Sequence, residues 1–299
     1  MSEGRRVLDR AEWTARADAH GARIEALIGP YLRARRTGGK HPVIDFLFTY
    51  YSARPAQLTR WHPGYGTMLL EGSEYDGIRG YRFGDGAATV SDEHLADQGR
   101  LVAGTLRILE ATAARQPRLG CFGLHEWAMV YRTGEKRHPH PLRLGSAGTD
   151  AVVEENRLLC THFDAFRFFT DPARSRNSIE LTRADAAANE QPGCLHATMD
   201  LYRYCLRLSP LIGADLLADC FELALTAREL DMRASPYDLS AVRDTAGRPY
   251  VAVPIETAEG RAQYVSEQTG IARRGHVLRD KVIDVARTLD EAAQTAGDQ

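Results

Sequence analysis

Paired cysteines are missing from this chain. Its five cysteines, Cys121, Cys160, Cys194, Cys205 and Cys220, stand apart with no C-x-x-C pair. That argues against a disulfide framework and against a zinc–thiolate site, and leaves buried free thiols as the expectation. Long apolar runs are missing too. Nothing approaches the ~18–20 residues of a membrane span, and the N-terminus MSEGRRVLDRAEW has no signal-peptide core. A cytoplasmic protein with no membrane partner is therefore expected. Lysine is nearly absent: only Lys40, Lys136 and Lys281 among 38 basic residues. This arginine excess fits a GC-rich genome as well as it fits bidentate anion binding. No phosphate loop, dinucleotide glycine motif, H-E-x-x-H or G-x-S-x-G elbow occurs, and Gly84-Asp85-Gly86 is a turn signal only. A net charge of −2 excludes a chain-wide phosphate-binding surface but leaves room for a local basic patch.

What is present is ordinary globular material: 299 residues, 43% hydrophobic and 26% charged. With no repeat and no dividing linker, this reads as one mainly α domain spanning 1–299, with a small β element and an internal polar cavity. Asp9 and Glu12 form a capping box that opens an N-terminal helix, and Arg33, Arg35, Arg36 and Lys40 close residues 1–40 as a basic linker. VIDFLFTYY reads as a buried helix in which Asp45 needs a partner, followed by a tight loop at Trp61-His62-Pro63-Gly64. Residues 67–90 read as short strands or a hairpin, and Ser91 caps a helix to about residue 114. In 119–190, RHPHPLRLG is expected to hold a short strand and TDAVVEEN a helix. ARSRNSIELTRADAAANEQPG is expected to be a surface loop. RPYVAVPIET is expected to be a strand, and residues 257–299 a helix, or two broken near Gly270 and Gly275.

The stretch Gln191–Leu239 organises the chain. It predicts two helices turning at Ser209-Pro210. His196, Asp200, Arg203 and Arg207 make one polar stripe, and Asp215, Asp219, Glu222, Thr226 and Glu229 make another, each on an otherwise apolar helix. Two readings stand side by side: solvated stripes exchanging surface ion pairs, or a cavity lined by His196, Asp200 and Glu222.

Three histidines lie in apolar segments beside an acid: His125 with Glu126, His162 with Asp164, and His196 with Asp200. Buried imidazoles need partners, and this inventory suits an iron or manganese site. The expected metal ligands are His162, Asp164, His196 and Glu222 around Fe(II) or Mn(II). His125 and Glu126 are the expected proton carriers, and Arg203 is the candidate for holding a substrate carboxylate. The function so expected is a metal-dependent enzyme, a non-haem iron oxygenase or oxidase, acting on a small molecule.

The blocks HPVIDFLFTYYSARPAQLTRWHPG, CFGLHEWAMVYR, LRLGSAGTDAVVEENRLLCTHFDAFRFFT, QPGCLHATMDLY and DCFELALTARELDMRASPYDL resemble a bacterial family commonly labelled 3-methyladenine DNA glycosylase. The resemblance covers most of residues 40–260. It implies hydrolysis of the N-glycosidic bond of an alkylated purine, with DNA as partner and the flipped base stacked on aromatic side chains. The residues available for those roles are Glu126 or Asp164 to activate water, and Trp61, Trp127 and Tyr131 to stack. Beside these two readings stands a non-catalytic binding protein with structural histidines, and in each case a homodimer is open.

Overall fold

The first helix begins where the capping box puts it. The Asp9 carboxylate accepts from the Glu12 amide at 2.8 Å, and Glu12 reaches back to the Asp9 amide. Two amides that the first turn leaves unpaired are thereby satisfied. The computed structural model describes residues 5–135 and 138–297. Strand β1 (Arg6–Leu8) leads into α1 (Arg10–Arg36), α2 (Ile44–Thr49) and α3 (Pro55–Thr59). Strands β2 (Thr67–Leu70), β3 (Tyr81–Gly84) and β4 (Ala87–Val90) precede α4 (Asp92–Ala113). Short helices follow: α5 (Leu124–Ala128), α6 (Gly145–Glu155), α7 (Phe163–Phe166), α8 (Asp171–Arg174) and α9 (Ala186–Asn189). The chain ends in three long ones, α10 (Leu195–Leu208), α11 (Ala214–Arg233) and α12 (Ala258–Gly297). At 57% helix with one small sheet, the protein is mainly α. No helix among the described residues is long and apolar enough to cross a membrane.

The sheet has the order β1-β2-β4-β3, with β1 parallel to β2 and the other pairs antiparallel. Asp85 and Gly86, both at positive φ, make the tight β3–β4 turn that the Asp-Gly pair favours. One face of this sheet closes over a small core of Leu8, Trp13, Trp61, Leu69, Tyr75, Ala88 and Ala214. The larger core lies under α10 and α11, which pack along each other, with α12 crossing both and running beside α4.

Several expectations need correcting. Helix α1 continues through Pro30 to Arg36, so Arg33, Arg35 and Arg36 are its last turn, where they meet the negative end of the helix dipole. Residues 248–257 form no strand; only an isolated bridge joins Arg243 to Pro249, and of RHPHPLRLG, whose Arg137 lies outside the described residues, residues 138–145 contribute only a bridge from Leu142 to Tyr237. Helix α12 is unbroken. At Gly275 a Cβ would sit 3.2 Å from the Thr198 side chain, so this glycine allows α10 to approach closely and does not end the helix. Asp45 does find partners: the Tyr31 hydroxyl at 2.6 Å and the His41 amide at 2.7 Å.

Candidate functional site

The site is assembled where α10 and α11 pack, closed by α5 and by the segments flanking α7 and α9. On α10 the 3.6-residue period turns His196 and Asp200 into the protein, with Arg203 nearer its edge. On α11 the inward polar groups are Arg228 and Asp231. These lie roughly 240° and 180° around the helix from Glu222. Helix α5 supplies His125 and Glu126, His162 immediately precedes α7, and Glu190 immediately follows α9.

Two sets of metal-type donors result, each with its ligand atoms within 4.8 Å of one another: His125, His196 and Asp231, and His162, Glu190 and Asp200. In the first, His125 Nε2 donates to Asp231 Oδ1 at 2.7 Å, and Arg228 Nη1 donates to both Asp231 Oδ2 and Glu126 Oε1 at 2.5 Å. In the second, His162 Nε2 donates to Asp200 Oδ2 at 3.1 Å and lies 3.5 Å from Glu190 Oε1. Asp200 also accepts from Tyr51 at 3.0 Å and from Arg203 at 2.7 Å. His196 links the sets. Its ring meets His125 edge-on at 4.5 Å and His162 at 5.3 Å, and it makes no hydrogen bond to protein among the described residues.

The charges follow from these contacts. Burial opposes a charge on His125, but the Asp231 carboxylate outweighs it and holds the imidazole well above its ordinary value. His162 is raised in the same way by Glu190 and Asp200 against its own burial. Burial and the neighbouring His125 push His196 well below the usual range. The shifts thus favour the charged form of His125 and His162 and the neutral form of His196 between them. Against their burial, Arg203 and His162 hold Asp200 down at about 2, and His125 and Arg228 depress Asp231 further. Burial raises Glu190.

Two cavities adjoin the sets. One of about 80 Å³ is walled by His125, His196, Gln191 and three thiols, Cys121, Cys160 and Cys194. Another of about 470 Å³ opens beside Glu190, Arg203 and Tyr204.

The structure thus brings together His125, His162 and His196, but with acids other than those next to them in sequence. Glu222 is elsewhere: it pairs with Arg23 of α1 at 2.7 Å on the outer side of α11. Asp164 turns away from His162, because the one precedes α7 and the other lies in its first turn, and it is taken by Arg203, Arg167 and Arg183. Glu126 faces Arg228 and not His125. Arg203 is occupied by Asp200 and Asp164 while its edge lines the 470 Å³ cavity. The three aromatic residues are structural in this geometry. Trp127 is fully buried and donates to the Ala234 carbonyl, Tyr131 donates to Glu154, and Trp61 belongs to the small core under the sheet.

Glu190, Arg228 and Asp231 were not expected. Arg228 and Asp231 left a signal, as charges off the polar stripe of a helix otherwise apolar there. Glu190 left none, since ANEQPG reads as a solvated turn until its burial is seen. No family model, curated protein or solved structure matches the chain.

Proposed function

We propose that the protein is a metal-dependent enzyme acting on a small molecule, with a divalent cation of the iron or manganese type held by the buried histidines and carboxylates. The observation that carries this reading is His196. It is 4% exposed and neutral, has no protein hydrogen bond among the described residues, and offers a nitrogen within 4.8 Å of ligand atoms on His125 and Asp231. Its ring borders the 80 Å³ cavity, so its nitrogen is open to a cation there. Nδ1 of His162, by contrast, is itself buried and unpartnered; leaving such a group unpaired costs about 1–3 kcal/mol, and a bound cation removes that cost. The donor set fits the group: imidazole nitrogens and carboxylate oxygens suit iron and manganese. Two histidines and one carboxylate, here His125, His196 and Asp231, is the composition associated with non-haem iron oxygenases.

When bound, such a metal would supply Lewis acidity and one-electron chemistry. The protein's part is positional. Asp231, fixed by Arg228, orients His125. Glu190, whose proton affinity burial has raised, is suited to take and return a proton at the edge of the 470 Å³ cavity. The 80 Å³ cavity is far below the ~300–1,000 Å³ of ordinary ligand sites, so the substrate body belongs in the larger one.

The test is elemental analysis of the purified protein, as isolated and after anaerobic loading with Fe(II), beside His196→Ala. Near-stoichiometric iron or manganese in the parent, lost in a variant of unchanged circular dichroism, supports the reading. No metal under either condition sinks it.

A second reading rests on a different contact. Cys121 Sγ lies 3.6 Å from His125 Nδ1, while Nε2 of the same ring is on Asp231, a nucleophile–base–orienter arrangement. A metal-free acyl-transfer enzyme would then be alkylated by iodoacetamide at Cys121, and far more slowly in His125→Ala. Base release from alkylated DNA has less support: Glu126 is engaged by Arg228, and Trp127 and Tyr131 are engaged in the core.

A further inference from the structure

A groove of about 830 Å³ lies between the α2–α3 region, the turn before β3, the start of α4 and the end of α10. Among the described residues four arginines line it, Arg54, Arg60, Arg79 and Arg207, and no aspartate or glutamate does. None of the four makes an ion pair among the described residues. Some arginines elsewhere do face an acid, as Arg10, Arg23, Arg132, Arg143, Arg233 and Arg287 do. In a chain with more acids than bases, an acid-free wall of four guanidiniums is a segregation of charge that an ordinary solvated surface does not need. The groove is not polar throughout: Leu101, Leu206 and Pro210 form an apolar side. It shares the lining residues Leu101 and Arg207 with the 470 Å³ cavity, and its wall residue Tyr51 donates to Asp200 at 3.0 Å.

We propose that this groove binds a small phosphorylated molecule of up to nucleotide size, its anionic group on Arg54, Arg60, Arg79 and Arg207 and its apolar part against Leu101, Leu206 and Pro210. Guanidinium forks match phosphate oxygens bidentately, and the volume lies within the range of small-ligand sites. A long polyanion fits less well, because Glu74 and Asp76 flank the Gly77–Arg79 edge and Asp97 follows His94 along α4. The two groove histidines add no charge near neutrality. Burial and Arg60 bring His62 down to about 4, and burial with Arg79 lowers His94. Affinity for the phosphate dianion therefore stays level above the ligand's own last ionisation, near ~6 for a phosphomonoester. That the bound molecule is the substrate of the buried site rests on the metal reading; that the groove binds phosphate does not.

The experiment is calorimetric titration of pyrophosphate into chelator-treated full-length protein, into Arg60→Glu/Arg79→Glu, and into His196→Ala. The expected result is saturable binding in the parent, about tenfold or more weaker in the charge-reversed variant and unchanged in His196→Ala. Absence of saturable binding, or equal binding to the charge-reversed variant, overturns the proposal. So does loss of binding in a folded His196→Ala, which would put the anion at the buried histidines. A labelled single-stranded oligonucleotide that binds more tightly than pyrophosphate, with a steep salt dependence, overturns it in favour of a nucleic-acid surface. Pyrophosphate binding in a protein that takes up no iron leaves the groove standing and removes only the metal reading.

Discussion

Each half of the buried site is braced by the same four-member chain. Glu126, Arg228, Asp231 and His125 make one; Asp164, Arg203, Asp200 and His162 make the other. In both, an arginine and an aspartate three residues apart on one long helix meet a histidine from a short segment, and the acid beside that histidine in sequence caps the arginine's far side. Their surroundings differ. Arg228 is 1% exposed and lies over the Phe46 ring at 3.9 Å, whereas the Arg203 side chain is 22% exposed and borders the 470 Å³ cavity. The second half also carries an extra acid, Glu190, pressed toward its protonated form. On the proposed reading, the sealed half holds a fixed charge and the open half exchanges protons and meets a ligand.

The largest effect should come from removing the sealed arginine. Arg228→Met strands Glu126 without a counter-ion and leaves Asp231 with His125 alone, in a dry setting. Breaking a buried pair from one side costs about 3–5 kcal/mol, read as a lower urea midpoint at unchanged slope. Arg203→Met should cost only about 1–2 kcal/mol, because Asp164 keeps Arg167 and Arg183, and water reaches the gap. Equal losses in the two variants would erase the distinction between sealed and open halves.

A smaller and more pointed contrast lies between the two acids of the open half, measured on metal-free protein. Asp200 is depressed to about 2, so its stabilisation is fully present above the unfolded value of ~3.9 and is lost as pH falls from there through about 2. Glu190 is raised, so the sign reverses: its protonated form stabilises below the unfolded ~4.3, and that contribution is lost as pH rises through the folded value. Urea unfolding across pH 2–7 should show Asp200→Asn flattening the acid limb, by up to ~1.4 kcal/mol per pH unit for one proton. Glu190→Gln should flatten the opposite slope. If both variants bend the curve in the same direction, the assignment of Glu190 as the exchangeable proton carrier is wrong.

Much of this was legible and the pairing was not. Helix caps at Asp9 and Ser91, the Asp85-Gly86 turn and the α10–α11 pair follow from local rules that act within a few residues, and the structure has each of them. The three histidines stood out for the same reason, as polar rings in apolar stretches. Their partners were misread because neighbours in sequence are poor neighbours in a helix, where successive side chains point about 100° apart. His125 and Glu126 diverge on α5, and the acid that reaches His125 comes from α11, 106 residues away. His162 and Asp164 diverge across the start of α7, and His162 takes Asp200 and Glu190. Each neighbouring acid was then free to cap an arginine, a role that has no signature in the linear chain.

The two polar stripes that made the α10–α11 stretch conspicuous supply the smallest predicted effect. They look alike as sequence, yet one turns inward at His196 and Asp200 while the other stays at the surface and meets α1. Arg23 bridges Asp219 at 2.8 Å and Glu222 at 2.7 Å, with 34–43% of each side chain exposed. Solvent screens such pairs, and their worth is about 0–1 kcal/mol. Glu222→Gln should therefore move the urea midpoint by less than ~1 kcal/mol, an effect that shrinks further in high salt. It should also leave iron content untouched, unlike His196→Ala. A Glu222→Gln variant that lost metal while remaining folded would return this carboxylate to the site and make the two stripes functionally alike after all.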